Sequence, residues 1–434
     1  MDFSSIQPSR DFSMNDNPAQ TQKRTLERLF DAAATLFWVK GYAATTTREI
    51  AAAVGIQQAS LYYHIASKED LLYQLCVSSL EQIRTDVQAA VDEVRDPLGR
   101  IRALIRAHLA TLLTYQVRHV TMLTELRALS SRHHEQVLGL RKQYGRLVRS
   151  VIEEAQSAGV VRTDISAQYL YLALLNVLNW AVLWFRRDQE LPADRLSGLF
   201  TPVFLDGAAV LPARVPPMPP DFPAGPRKKS ASRGRKFAEA GEKPTAERML
   251  NAAAALFSKK GYTATSTREI AALLRIQKAS LYYHIESKED LLYDICKSSL
   301  ERIRLDVAAA VENVPDPFER TSTLVRTHIE SMLRDQDRHS ATLSEMRALS
   351  KERLAHVISL RDAYEDLVRS VLQDAQSAGA LRADISVKYL CLILLGLVNR
   401  VEVWYRRNGA LSPGELGEIL AVIFLSGAAA TARD

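Results

Sequence analysis

The amino-acid sequence predicts an all-α protein built from two copies of one helical unit. Apolar residues recur at helical spacing through most of the chain, and no stretch alternates apolar and polar residues long enough to require a strand. The chain also repeats itself at a constant offset of 220 positions, so that Gly41 corresponds to Gly261 and Trp184 to Trp404. Because the repeat covers the whole unit, we expect two complete units joined head to tail.

One segment is nearly identical in the two copies, TTTREIAAAVGIQQASLYYHIASKEDLL at 45–72 and TSTREIAALLRIQKASLYYHIESKEDLL at 265–292. In the first copy, apolar residues recur at helical spacing up to Val54, Gly55 breaks the pattern, and Leu61 resumes it. This pattern predicts a helix, a tight turn and a second helix, an arrangement that can place the second helix in the DNA major groove. The residues off the apolar stripe are amides, hydroxyls and aromatics suited to base edges and phosphates: Gln58, Ser60, Tyr62, Tyr63 and His64.

These residues resemble the N-terminal DNA-binding domain of TetR-family transcriptional repressors. That family has a GY-x-x-T-T segment, an I-A-x-x-x-G-[IV] turn, an L-Y-x-H-[FIV] recognition helix and an S-K-[ED]-x-L helix start in fixed order, and both copies show that order. The resemblance implies a dimeric, ligand-responsive, all-α repressor. The DNA contacts that it implies are Thr47, Arg48, Gln58, Ser60, Tyr62, Tyr63, His64 and Lys68 in the first copy and Thr267, Arg268, Lys278, Ser280, Tyr282, Tyr283, His284 and Lys288 in the second.

One departure from the family pattern matters, because the turn glycine Gly55 is replaced by Arg275 in the second copy. If this position has a positive φ, a residue other than glycine costs on the order of 1 kcal/mol there. Two interpretations are open: the second turn is slightly reshaped, or Arg275 itself contacts a phosphate.

Taken in order, the chain divides into an arm, two DNA-binding domains, two regulatory domains and a linker. The predicted boundaries are 1–21 for a disordered N-terminal arm, 22–72 for the first DNA-binding domain, 73–210 for the first helical regulatory domain, 211–243 for a Pro-rich and then basic linker, 244–292 for the second DNA-binding domain and 293–434 for the second regulatory domain. The basic half of the linker is either a solvated tether or a source of nonspecific DNA affinity.

The first unit is expected to hold helices at about 24–40, 67–94, 118–129, 132–158, 166–187 and 192–209, with another starting at Asp96-Pro97. In the resemblance, the last two helices pair with their equivalents in a partner, and the middle helices enclose an apolar ligand cavity. A tandem chain can build this dimer within itself. A dimer of chains with four DNA-binding heads is the alternative.

The regulatory halves differ more than the DNA-binding halves, so two ligand cavities cannot be equivalent. Trp180 is replaced by Arg400, and Val182 by Glu402. The pattern E-x-R-A-L-S, R-x-x-Y, A-Q-S-A-G-x-x-R-x-D and W-[FY]-R-R resembles a TetR branch that answers to acyl-CoA or other aliphatic and aromatic catabolic intermediates. Any one shared polar residue is more often a surface or helix-pairing residue than a ligand contact. The candidate ligand contacts are His108, Arg127, Arg141, Tyr144, Asn179, Trp180 and Trp184 in the first copy and His328, Arg347, Arg361, Tyr364, Asn399 and Trp404 in the second.

Composition and missing motifs narrow the class of protein. The formal net charge of +6 fits DNA binding without demanding it. The chain has no Gly-rich phosphate loop, no G-x-S-x-G and no H-E-x-x-H, so we expect neither an enzyme nor a cofactor. The pair His133-His134 lacks a partner at helical spacing for a metal and is read as a solvated helix start. The three cysteines are expected to be buried thiols, and no signal core is visible, which favours the cytoplasm.

The sequence therefore predicts a sequence-specific DNA-binding regulator, most simply a repressor released by a small molecule. The two repeats would act as a covalent pseudo-dimer. Because Gln58 is replaced by Lys278, the operator is expected to be an imperfect palindrome. A ligand-independent architectural DNA-binding protein is the alternative.

Overall fold

The computed structural model describes residues 18–185, 193–207 and 246–427. The first 17 residues of the predicted arm and the whole predicted linker at 211–243 lie outside these described residues. Every regular element within the described ranges is helical, which confirms the all-α prediction.

The two repeats contain matching series of helices. In the first repeat these are α1 (Pro18–Lys40), α2 (Thr47–Val54), α3 (Gln58–Leu61), α4 (Lys68–Asp92), α5 (Pro97–Thr114), α6 (Gln116–Glu125), α7 (Ser131–Ser157), α8 (Ala167–Trp184) and α9 (Ala193–Leu205). In the second they are α10 (Ala246–Lys260), α11 (Thr267–Leu274), α12 (Lys278–Tyr282), α13 (Lys288–Glu312), α14 (Pro317–Arg334), α15 (Gln336–Glu345), α16 (Lys351–Ser377), α17 (Val387–Asn399), α18 (Val401–Trp404) and α19 (Pro413–Ser426).

Two differences from the expected helix boundaries bear on the fold. Helix α1 begins at Pro18, so residues 18–21 of the predicted arm are helical. The counterpart of α8 is broken in the second repeat, because α17 ends at Asn399 and α18 begins at Val401. The break falls at Arg400, the residue that replaces Trp180.

The helix-turn-helix is set locally in the same way in both copies. Helix α2 is preceded by Thr46, whose hydroxyl accepts from the backbone N–H of Glu49 while the Glu49 carboxylate accepts from the backbone N–H of Thr46. Ser266 and Glu269 form the equivalent pair before α11. These capping boxes fix the start of the first motif helix in each head.

The turn after each of these helices uses a left-handed residue. Gly55 has φ 76° and ψ 31°, and Arg275 has φ 58° and ψ 41°. The backbone N–H of Gly55 donates to Ala52 at 3.1 Å, and that of Arg275 donates to Ala272 at 3.1 Å. The second turn is therefore not reshaped. The arginine adopts the conformation of glycine, at a cost on the order of 1 kcal/mol.

The chain forms two compact units. The first comprises Met1–Ser79 and Val117–His134, so the first DNA-binding head includes a segment that the sequence assigns to the regulatory domain. Contacts inside this unit explain the grouping. Thr121 donates to the backbone carbonyl of Ala34 at 3.0 Å, and Arg118 is hydrogen-bonded to Asp31 at 2.6 Å. The core of this head includes Phe37, which is fully buried.

The second compact unit comprises Leu80–Gln116 and Glu135–Asp434. Within it, α5 packs against α9, α14 against α19, and α8 against α17, while α19 also contacts α8 and α9. Arg162 donates to the Ser426 hydroxyl at 2.7 Å. An added Cβ at Gly207 would lie 2.4 Å from the Gly427 nitrogen, so only glycine fits where the ends of α9 and α19 meet.

Helix α8 is the one helix in the described ranges that is long and apolar enough to cross a membrane by length and composition. It packs along α17 within the second unit, as core helices that pass the same test do. Cys76, Cys296 and Cys391 are buried and form no disulfide within the described residues, as the sequence predicts.

Candidate functional site

The recognition element of each head is short and exposes two tyrosines. Helix α3 is anchored by the buried Leu61, and the backbone N–H groups of Tyr62, Tyr63 and His64 donate to carbonyls three residues earlier. Tyr63 is 86% exposed and its counterpart Tyr283 is 87% exposed. An aromatic hydroxyl presented in this way is available to a phosphate or a base edge.

The predicted contacts Thr47, Gln58 and Tyr62 form one hydrogen-bonded cluster. The Thr47 hydroxyl accepts from the Gln58 side-chain amide at 3.1 Å and lies 3.2 Å from the Tyr62 hydroxyl. The second copy keeps the Thr267–Tyr282 contact at 3.3 Å. The start of the first motif helix and the recognition element thus present one continuous polar surface in each head.

Lys278 makes a different contact on this surface from that of its counterpart Gln58. Its ammonium lies 5.4 Å from the centroid of the Tyr282 ring, an aromatic contact in place of the amide hydrogen bond made by Gln58. The position is exposed in both heads. The two heads therefore differ in both charge and hydrogen-bonding pattern at this exposed position.

The predicted phosphate contact Lys68 is also a structural residue. Its ammonium donates to the backbone carbonyls of Tyr42 at 2.9 Å and Thr45 at 2.7 Å, and Lys288 makes the same pair of contacts in the second head. Burial lowers the pKa of Lys68. Since an ammonium has three donors, one donor is left in each head for a phosphate.

The remaining predicted DNA contacts lie at or near the surface. Arg48 and Arg268 are exposed, Ser60 and Ser280 are half-buried, and His64 is half-buried where His284 is exposed. Arg275 is also exposed at the turn of the second head and adds a positive charge that the first head lacks.

His133 was predicted to be solvated, but it is half-buried and paired with a carboxylate. Its Nδ1 lies 2.8 Å from Glu69 Oε2, and its ring stacks on Tyr73 with the ring centroids 4.0 Å apart. The described residues contain no cluster of three or more His, Cys, Asp or Glu side chains that could hold a metal ion. The sequence pattern did not reveal this contact, because Glu69 is 64 positions away.

Two buried arginines, which the sequence analysis did not single out, tie the first helix of each repeat to α6 or α15. Arg118 donates to Asp31 at 2.6 Å and also pairs with Glu27. Arg338 lies 2.9 Å from Glu247 and donates to the Asn251 side-chain carbonyl at 3.1 Å. The sequence contains one sign of these arginines, because an Arg-His pair occurs at the same position in each repeat.

The candidate ligand contacts include a buried histidine–tyrosine pair in each repeat. His108 Nδ1 lies 2.6 Å from the Tyr144 hydroxyl, and His328 Nδ1 lies 2.6 Å from the Tyr364 hydroxyl. Burial raises the pKa of both tyrosines. These pairs join α5 to α7 and α14 to α16 through hydrogen bonds inside the regulatory core.

The second regulatory core holds two buried imidazoles. The rings of His328 and His339 are 6.4 Å apart, and the Nε2 atom of His339 has no hydrogen-bond partner among the described residues. Burial lowers the pKa of His328 to about 3 and that of His339 to about 4, so both are neutral at pH 7. A small pocket beside His339, bordered by Arg302 and Asp335, has room for about one water molecule.

The other candidate ligand contacts lie elsewhere. Trp180 packs on Gly396, Trp404 donates to Asn176 at 3.1 Å, and Trp184 lies near Tyr389, so the tryptophans belong to the contact of α8 with α17 and α18. Arg361 pairs with its neighbour Asp362 at 2.9 Å. The remaining candidates range from buried to exposed: Asn399 is buried, Arg127, Arg141 and Asn179 are half-buried, and Arg347 is exposed.

Two family models each match the chain twice. The model for bacterial regulatory proteins of the tetR family matches residues 29–75 and 249–295, and the model for the tetracyclin repressor-like C-terminal domain matches residues 94–208 and 314–428. The second model alone covers more than half of the chain. The matches fall in the same order in each repeat, with a head followed by a regulatory domain.

Individual relatives have the length of one unit. The chain is 28% identical over 204 residues to the HTH-type transcriptional repressor KstR2 of Rhodococcus jostii (strain RHA1), over 45% of this chain and 95% of the relative. It is 26% identical over 165 residues to the HTH-type transcriptional repressor NicS of Pseudomonas putida, over 37% of this chain and 76% of the relative. The crystal structure of the TetR-family regulator PfmR from Thermus thermophilus is 30% identical, with a TM-score of 0.39 over 41% of this chain and 96% of that one.

KstR2 and NicS are thus each matched over most of their length by less than half of this chain, as two fused units require. The chain belongs to the TetR family and is a helix-turn-helix DNA-binding transcriptional regulator with two complete TetR-type units in tandem.

Proposed function

We propose that this regulator is a repressor in which the two repeats act as a covalent pseudo-dimer, bind one operator through both heads and are released by a small-molecule effector. The observation that carries the proposal is the packing of the last helices of one repeat, α8 and α9, against α17 and α19 of the other within one compact unit. The heads support it, because each exposes the same tyrosine pair beside the start of the first motif helix. The protein acts in the cytoplasm, where its DNA lies.

Both heads are expected to contribute to operator affinity. Tyr63→Ala and Tyr283→Ala should each weaken binding by about 1–3 kcal/mol, since each removes an exposed aromatic and its hydroxyl from one recognition element. The double variant should lose specific binding. The measurement is a fluorescence-anisotropy titration at fixed salt, preceded by footprinting of upstream DNA to define the operator.

Leu305→Ala, an exposed residue on α13 outside the recognition surface, is the control and should bind as the unmodified chain does. A Tyr283→Ala variant with unchanged affinity and an unchanged footprint would contradict the two-headed proposal.

The operator half-sites are expected to differ at one base pair. Glutamine can bond bidentately to adenine, whereas lysine prefers guanine acceptors or phosphates. Gln58→Lys should therefore shift preference towards a symmetrised site built from the half that the second head reads, by about 1–3 kcal/mol per discriminating pair. Lys278→Gln is the matched reverse change and should favour the other symmetrised site. Equal affinity of both variants for both sites would mean that this position touches the DNA backbone only.

The effector is proposed to enter the regulatory core next to the histidine–tyrosine pairs, and an acyl-CoA or an aromatic catabolic intermediate is the proposed class. The small volume beside His339 supports a mechanism in which effector binding separates these helices. Arg338 links α15 to the head helix α10, so such a movement would shift the head. Two recognition elements must lie about 34 Å apart to enter successive major grooves, and the effector then favours a spacing that the operator cannot match.

This proposal is tested by a thermal-shift screen of acyl-CoA thioesters and aromatic acids, followed by operator release. A true effector should raise the melting temperature, because it binds the native state, and should lower operator affinity. Tyr364→Phe and Tyr144→Phe, which each remove one hydroxyl, report which repeat responds. If no compound in the panel does both, the ligand-independent architectural function is favoured.

A further inference from the structure

The contact between α8 and α17 is made by residues that differ between the repeats. The Trp180 side chain lies over Gly396, and a Cβ added at Gly396 would lie 3.0 Å from both Cβ and Cδ1 of Trp180. Such a distance is tighter than nearly all side-chain contacts, so the Trp180 ring would have to move to admit it. The indole of one repeat therefore occupies a recess that exists because the other repeat has glycine at this position.

The residue equivalent to Gly396 in the first repeat is Asn176, and its side chain is bonded on both sides. Its amide donates to the Leu397 carbonyl at 3.2 Å, and its carbonyl accepts from the Trp404 indole N–H at 3.1 Å. Asn176 is 6% exposed, so both bonds are made inside the contact.

Trp184 is the first-repeat residue equivalent to Trp404, and its hydrogen bonding differs from that of Trp404. The buried indole nitrogen of Trp184 has no hydrogen-bond partner within the described part of the chain. Its ring instead lies 6.4 Å from that of Tyr389 and 6.2 Å from that of Phe200. Position 396 is glycine and offers no side-chain acceptor where Asn176 offers one.

Like repeats would not fit each other in this arrangement. Pairing two first repeats would place each Trp180 against Asn176, where even a Cβ is crowded. Pairing two second repeats would place Trp404 opposite Gly396, leaving a buried indole N–H without its acceptor and a gap without the Trp180 ring. The first mismatch is overpacking and the second combines a cavity with an unpaired donor.

We propose that the C-terminal helices of the two repeats are mutually selective, so that the first repeat accepts the second and each rejects a copy of itself. The inference deepens the pseudo-dimer of the proposed function and rests on it. A full chain then closes on itself and has the mass of one chain, 48.4 kDa, in solution.

The steric half of the proposal is tested by a double-mutant cycle in the full chain. Gly396→Asn should lower the melting temperature by several degrees, because it fills the recess beneath Trp180. Gly139→Asn, at a helical glycine where an added Cβ has no atom within 4 Å beyond the neighbouring backbone of its own helix, is the matched control and should change it little. Trp180→Ala should lower the melting temperature of the unmodified chain but restore part of the loss caused by Gly396→Asn. Additive effects would overturn the proposed fit.

Two milder substitutions test the hydrogen-bonding part of the proposal. Trp404→Phe should lower the melting temperature, because it leaves the Asn176 carbonyl without its donor. Trp184→Phe removes an indole nitrogen that has no partner in the described chain, so it should have a smaller effect. Equal losses for the two variants would overturn this half.

Light scattering provides the third measurement. The mass of one chain at micromolar concentration, with no exchange between tagged and untagged chains, is the expected result, and a stable two-chain mass would overturn the in-chain closure. None of these readouts involves DNA or an effector. A chain that shows the expected coupling but fails to bind an operator therefore rejects the proposed function alone, and an operator-binding chain without the coupling rejects this inference alone.

Discussion

Replacing Glu247 with glutamine is expected to lower the free energy of unfolding by about 2 kcal/mol. Glu247 pairs with Arg338, whose side chain is only 2% exposed, so the change leaves a buried guanidinium without this carboxylate. Removing one partner of a fully buried pair costs about 3–5 kcal/mol, and the value here is lower because water reaches the half-exposed Glu247. Burial alone would raise the pKa of Glu247, but hydrogen bonds and charge from Arg338 and Arg302 lower it, which shows that the ionised form is held.

The first repeat supplies the control for this change. Glu27→Gln should cost less than about 1 kcal/mol, because Asp31 still holds the Arg118 guanidinium at 2.6 Å. The second repeat has the neutral Asn251 in place of Asp31, so it lacks this second carboxylate. Urea unfolding and hydrogen exchange of α10 are the measurements. Equal losses for the two variants would mean that the additional carboxylate does not stabilise the first head.

Glu402→Val is expected to stabilise the protein by about 3 kcal/mol at pH 8, with a gain that shrinks as the pH falls towards 5. Glu402 is buried in α18, and its Oε2 atom has no hydrogen-bond partner among the described residues. Burial raises the pKa of this carboxyl from 4.5 to about 7, although the nearby Arg400 opposes the shift. Valine is the residue that the first repeat carries at the equivalent position, Val182.

The direction of the pH dependence follows from proton binding. Between pH 4.5 and about 7 the native carboxyl keeps a proton that the unfolded chain has released, so the stability of the unmodified protein falls as the pH rises through this window. Below it both states are protonated, and the charge penalty disappears.

Thermal unfolding of the valine variant at pH 5 and pH 8 measures this difference. Glu402→Gln measures the effect of the charge alone, because it keeps the size and polarity of the side chain. A stability gain of the same size at both pH values would show that Glu402 does not titrate in the native state.

Several elements were predictable from sequence because their causes are local. The capping box of α2 depends on residues three positions apart, and the turn after it depends on one left-handed residue. The helix starting at Pro97 has Asp96 as its N-cap, with the Asp96 side chain accepting from the Gly99 N–H, as its Asp-Pro pair predicts. The exposed tyrosines of each head follow from helical periodicity, since they lie off the apolar stripe.

Other predictions were limited because the partners are distant in sequence. Lys68 is suited to a phosphate by its charge, yet its ammonium donates to the carbonyls of Tyr42 and Thr45, which lie 26 and 23 positions earlier. His133 is held by Glu69, and a pattern of neighbouring residues could not reveal that pair. Contacts of this kind are set by the packing of whole helices.

The sequence by itself determined the all-α class, the tandem repeat and the two nearly identical heads, since periodicity and a constant 220-residue offset need no knowledge of the fold. Only the tertiary structure decided what the divergent helix residues do. In the sequence, Trp180 and Gly396 look like unrelated substitutions. The structure shows that α8 packs against α17 and that the Trp180 indole lies over Gly396. The physical reason is that close packing depends on which side chains face each other across a contact, and their positions along the chain do not specify this.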